Sequence, residues 1–97
     1  MTRWARAAAV ALAIWGPPPC APVQHRREAL PARELGYATA PCTIVVTRRR
    51  LGWEKYCATV VHEMGHLHGR RHSRNPRSIM WPSYHGEPRC RPTTTFV

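Results

Sequence analysis

In the stretch from His62 to His72, three of the four imidazoles, those of His62, His66 and His72, and the one carboxylate, Glu63, stand at spacings that suit a hydrolytic metal centre. His62 and His66 are four residues apart, so on a helix they lie about one turn apart on one face and both point at a single ion. His72 is too far along to share that face. Gly69 can take a positive φ, end the helix and turn the chain so that His72 returns as a third ligand. Neutral imidazole suits Zn²⁺, and three protein ligands leave the fourth tetrahedral position open, which marks a catalytic rather than a structural ion. Glu63 lies about 100° round the helix from His62, beside that open position, without displacing a histidine. It is placed as a general base, because zinc brings the pKa of water down to about 7 and polarises a carbonyl oxygen. The proton then passes to a leaving amine, which fits hydrolysis of a peptide bond with the developing oxyanion neutralised by the metal.

These side chains need a rigid helix and something for it to pack on. Trp53, Cys57, Val60, Met64 and Leu67 recur at steps of three and four and form an apolar stripe nearly opposite His62 and His66, which predicts a helix starting near Trp53. Cys42 to Thr47 is a β-branched run that reads as a strand, and Arg48 to Gly52 reads as the exposed connection between the two. A fold of class α+β follows, with a small sheet packed on one metal-bearing helix.

The longer pattern HExxHxxGxxH, with Ser78-Ile79-Met80-Trp81-Pro82 close behind it, resembles the signature of the metzincin metallopeptidases. Within that clan the chain looks most like the matrixin branch, through Ser73 after the third histidine and the run Met80-Trp81-Pro82-Ser83-Tyr84. Leu35 to Ala38 and Cys42 to Val46 are similar to the matrixin substrate-edge strand and the strand after it. The resemblance implies a minimal metzincin-like fold, one catalytic zinc held by His62, His66 and His72, and endopeptidase activity with Glu63 as the base. It also implies that Met80 forms a hydrophobic floor under the imidazoles, and that Pro82 and Tyr84 wall the pocket for the substrate side chain after the scissile bond. The chain has no Asp and its five Glu are scattered, so calcium sites are not expected. A non-catalytic zinc-binding module with a metzincin-like site is the alternative.

Met1 to Trp15 begins with Arg3 and Arg6 and runs on into an apolar stretch, followed by Gly16 and three prolines, in the manner of a secretory signal peptide. The expected division is a leader over 1–21, a basic arm over 22–34 and a catalytic domain over 35–97. The apolar stretch is too short to span a bilayer. Export to the cell exterior agrees with the four cysteines, which allow three full pairings. Cys57 falls on the core face of the helix and Cys42 on the strand expected beneath it, which makes Cys42 to Cys57 the preferred bridge, contributing about 3 kcal/mol. Pro88 to Pro92 has a faint likeness to the matrixin inhibitory cysteine segment, but it lacks the Gly after Cys90 and follows the zinc motif, so Cys90 reads as a disulfide partner or a free thiol. His25, His68 and His85 read as solvent-facing or structural. A net charge of +10 on 97 residues suggests a solvated basic surface, or an affinity for acidic substrates or anionic polymers. Nucleic acid is not expected, since neither interleaved aromatics nor finger spacing is present. The expected partner is a peptide or protein substrate met by a monomer.

Overall fold

A computed structural model describes residues 1–84 and 86–91 of the chain. Its elements in order are helix α1 (Arg3–Trp15), strands β1 (Gln24–Glu28), β2 (Gly36–Thr39) and β3 (Thr43–Thr47), helix α2 (Trp53–Leu67) and a 3₁₀ turn over Pro88–Cys90. The three strands form one sheet in the order β1-β3-β2, with β3 parallel to β1 and antiparallel to β2. The β-branched sequence of β3 suits this central place, and all five of its residues are buried. Ile44 and Val46 turn towards α2 and join the main core. Val45 and Thr47 lie on the other face, where the Tyr37 hydroxyl of β2 donates to Glu28 of β1 at 2.7 Å.

The helix expected from Trp53 begins there and runs to Leu67, and Cys57, Val60 and Met64 of its apolar stripe are buried. Burial extends further round α2 than one stripe, from Tyr56 through Val61, because the helix is packed on two sides. The sheet covers one. Helix α1 covers the other, with Ala7 and Ala11 fully buried one turn apart, and their small side chains let the two helices approach closely. Thr2 caps α1 by accepting from the Ala5 amide at 3.0 Å, and Gly16 ends it at φ +84°. The Trp15 indole then donates to the Val61 carbonyl of α2 at 2.9 Å, so a buried polar group is satisfied where the helices meet. Residues of the segment read as a leader thus pack against α2 in the chain as given, and residues 24–28 of the basic arm form strand β1.

Two disulfides are present, Cys20–Cys42 and Cys57–Cys90, and the preferred Cys42 to Cys57 bridge is not formed. The reason lies in the direction of the chain. Cys42 stands at the start of β3, and a short connection returns α2 along the sheet, which brings Cys42's neighbours Cys20 and Pro41 beside His66 and Leu67 at the far end of the helix. Cys57 lies ten residues before Leu67, about 15 Å along the axis, beyond the reach of a disulfide. It is met instead by Cys90, whose carbonyl also accepts from the Trp53 indole at 2.6 Å. Cys90 is thus buried in a structural bridge rather than facing the histidines.

One arginine shapes the rim above the site. The Arg49 guanidinium donates to the carbonyls of Leu30, Pro31 and Glu34 at 3.0, 3.0 and 2.8 Å, which holds residues 30–34 as a fixed lip next to β2.

Candidate metal centre and cleft

Three imidazoles converge as the spacing predicts. His62 and His66 project from one face of α2, and the helix ends as expected at Gly69, which takes φ +84°. The Arg70 amide donates back to the Gly65 carbonyl at 2.9 Å and the Gly69 amide to His66 at 3.0 Å, which satisfies the last carbonyls of the helix and fixes the turn. His72 then swings back, and one ligand atom from each of the three residues lies within 4.8 Å of the others.

The second nitrogen of two rings is already committed. His62 Nδ1–H donates to the Ile79 carbonyl at 2.7 Å, and His66 Nδ1–H donates to the Arg70 carbonyl at 2.8 Å. A carbonyl can only accept, so each Nδ1 carries a proton, and in the neutral rings both Nε2 atoms present lone pairs to the centre. These two Nε2 atoms are 3.2 Å apart. Lone pairs at that distance repel unless a cation lies between them. Ligand atoms of a tetrahedron with bonds of roughly 2.0–2.1 Å stand about 3.3 Å apart, so His62 and His66 fit two neighbouring positions of a zinc ion, with His72 placed to close in as the third. Burial holds His62 below the ordinary imidazole pKa, partly offset by its bond to Ile79 and reinforced by the charges of His66 and His72. The ring is therefore in the neutral, metal-binding form at neutral pH.

Glu63 is buried beside the triad, and burial, followed by the charge of Glu34, raises its pKa from an ordinary 4.5 to about 7. Such a carboxyl is poised between acid and base near neutrality. Met80 is 4% exposed and packs beneath α2 at Gly65, where an added methyl would fall 2.6 Å from its sulfur and 3.0 Å from the Trp15 ring. Only glycine leaves room for that approach. The Ser73 amide donates to the Met80 carbonyl at 2.8 Å, tying the loop of the third histidine to the methionine turn. Pro82 and Tyr84 line the same cleft as the three histidines and Glu63, a space of about 1000 Å³ whose far rim is residues 31–38.

Among the described residues, the other two histidines stay outside the triad. His25 stacks on Trp4 with ring centroids 4.4 Å apart, and His68 faces Trp15 at 6.5 Å. His85 lies outside the described residues. Sequence reasoning missed Lys55, Ala58 and Thr59, which line the cleft on α2. Counting back from His62 by seven, four and three residues along the same helical face would have found them.

An α+β fold with three histidines and a buried carboxylate around one cleft defines a metallopeptidase type of site. The family model for matrixin matches residues 43–94, more than half of the chain, and the protein belongs to that family. Over 24 residues, a quarter of its length, the chain is 67% identical to the macrophage metalloelastase of Rattus norvegicus. That stretch spans 5% of the rat protein. No solved structure matches the chain significantly.

Proposed function

We propose that the protein is a zinc-dependent endopeptidase in which His62, His66 and His72 hold one ion and Glu63 is the general base. The observation that carries this reading is the pair of facing Nε2 lone pairs at 3.2 Å, with both Nδ1 protons held by backbone carbonyls, next to a buried carboxyl of raised pKa. Zinc in this position would supply Lewis acidity towards water and towards the carbonyl of the scissile bond. Glu63 takes the proton of the attacking water and gives it to the leaving amine. Its place in the cleft beside the three histidines suits both steps, since the same carboxyl can accept the proton and return it. Ile79 and Arg70 orient the two imidazoles through their carbonyls, and Met80 supports them from below. Pro82 and Tyr84 wall the side-chain pocket after the scissile bond.

The matrixin match supports a peptide or protein as substrate. Two disulfides support action outside the cell, and no described helix is long and apolar enough to cross a membrane. The enzyme is proposed to act as a monomer and without calcium. In the rival reading, a zinc module without catalysis, neither the buried Glu63 nor the cleft has a use. The test is digestion of a mixed peptide library by zinc-loaded protein, followed by mass spectrometry. Zinc-dependent cleavage that a chelator abolishes is expected. A fully zinc-loaded, folded protein that cuts nothing would favour the rival.

A further inference from the structure

Much of the positive charge of this chain is used inside the fold. Arg3 donates to the Leu51 carbonyl and lies over Tyr56, Arg6 stacks on Trp53, Arg27 and Arg49 bind backbone carbonyls, and Arg89 pairs with Glu87. Lys55 in the cleft and the arginines of the His72 loop are different. Lys55 lines it from α2, with its ammonium 5.2 Å from the centre of the Tyr84 ring, and makes no ion pair among the described residues. Arg71, Arg74 and Arg77 lie exposed on the loop that carries His72, also without ion pairs among the described residues. On the opposite lip Arg33 stands next to Glu34, and Lys55 has Glu54 beside it in sequence, but only Lys55 of that second pair lines the cleft, where it meets Tyr84.

Lys55 precedes His62 by seven residues on the same face of α2, about 10 Å along the axis. Ala58, between them, is too small to block the way. A peptide extended along the cleft advances about 3.3 Å per residue, so the ammonium is within reach of side chains one to three positions beyond the bond that lies at the histidines. Tyr84 presents its ring face to this ammonium, which orients Lys55 while leaving its donors free for a carboxylate.

We infer that Lys55 is a specificity-determining residue that selects acidic side chains within three positions after the scissile bond, with Arg71, Arg74 and Arg77 steering acidic peptides to the cleft. This rests on the proposed zinc site and on the wall formed by Pro82 and Tyr84. The recognised class is a peptide carrying Glu or Asp on that side of the bond. Lys55 supplies the short-range contact and the arginine loop the field that raises the encounter rate.

The test separates binding from hydrolysis. Dye-labelled peptides with a hydroxamate at the amino end, which anchors them on zinc, carry either Glu or Gln at each of the next three positions. Their affinity for zinc-loaded protein is read by fluorescence anisotropy at low and high salt. At least one Glu peptide should bind roughly tenfold tighter than its Gln partner at low salt, with the difference shrinking as salt screens it. Lys55→Met, which keeps the aliphatic stem, should abolish the preference, and Lys55→Glu should reverse it. Replacing Arg71, Arg74 and Arg77 by Ser should slow association of Glu peptides and leave Gln peptides unchanged. Equal affinities for Glu and Gln at all three positions, a preference that survives Lys55→Met, or no binding of either peptide would overturn the inference. Lys55 is exposed, so its variants should melt with wild type. A Glu preference in a protein that cleaves nothing would refute the peptidase reading alone, whereas cleavage without preference would refute only the role of Lys55.

Discussion

Replacing Glu63 by Gln should stabilise the zinc-free protein, and by an amount that depends on pH. The folded state holds the Glu63 proton more tightly than the unfolded chain, since burial raises its pKa from 4.5 to about 7. A carboxyl whose folded pKa is raised contributes no penalty below pH 4.5. The penalty grows as the pH climbs from 4.5 to 7, and above that range it is complete. At about 1.4 kcal/mol for each tenfold change in acidity, the full penalty is about 3 kcal/mol. Glutamine has nearly the same shape and never ionises, so it escapes the penalty at every pH. His62, held below its ordinary value, lowers stability in acid, but it does so in both proteins and drops out of the comparison. The assay is urea unfolding of metal-free wild type and Glu63→Gln at pH 5 and pH 8. The difference should be near zero to about 1 kcal/mol at the lower pH and a few kcal/mol in favour of Gln at the higher. Added zinc should shrink the gap, because a nearby cation favours the carboxylate. A difference that is the same at both pH values would refute the claim that the buried carboxyl is uncompensated without metal.

Gly65→Ala should destabilise the fold by about 1–3 kcal/mol and, if Met80 supports the histidines as proposed, weaken zinc affinity, because the new methyl would push on Met80 and Trp15; urea unfolding and zinc titration check both, and unchanged zinc affinity would count against the proposed role of Met80. Calcium should leave the melting temperature of zinc-saturated protein unchanged, and a substantial rise would reveal backbone-built sites. Non-reducing peptide mapping of the whole chain should recover Cys20–Cys42 and Cys57–Cys90. If 1–21 is a removed leader, the exported protein should begin near residue 22 with Cys42 unpaired from Cys20, whereas an exported protein that retains Cys20 in its bridge would overturn the leader assignment.

The helix α2, strand β3 and the convergence of the histidines were legible in the sequence because each rests on local pattern. Four-residue spacing puts His62 and His66 on one face, and Gly69 had a conformational task that only a turn explains. The pairing of the cysteines was not legible, because it depends on which end of α2 meets the start of β3, a matter of chain direction in three dimensions. Strand β1 was hidden for a related reason. Gln24 to Glu28 carries no apolar alternation, and it is a strand because β3 offers it an unpaired edge. Helix α1 shows that an apolar, alanine-rich run has the same composition whether it serves as a leader or as a packing layer. Ala7 and Ala11 acquire meaning only opposite α2.

The most direct test of the account measures zinc content and peptide hydrolysis on the same preparations of wild type, Glu63→Gln, and the double variant His66→Ala with His72→Ala. One zinc per chain is expected in wild type and in Glu63→Gln, and none in the double variant. Hydrolysis should fall by about 10² to 10⁴ in Glu63→Gln, as expected for loss of a general base, and vanish with the metal. Zinc retained at full stoichiometry by the double variant, or wild-type hydrolysis by Glu63→Gln, would contradict it.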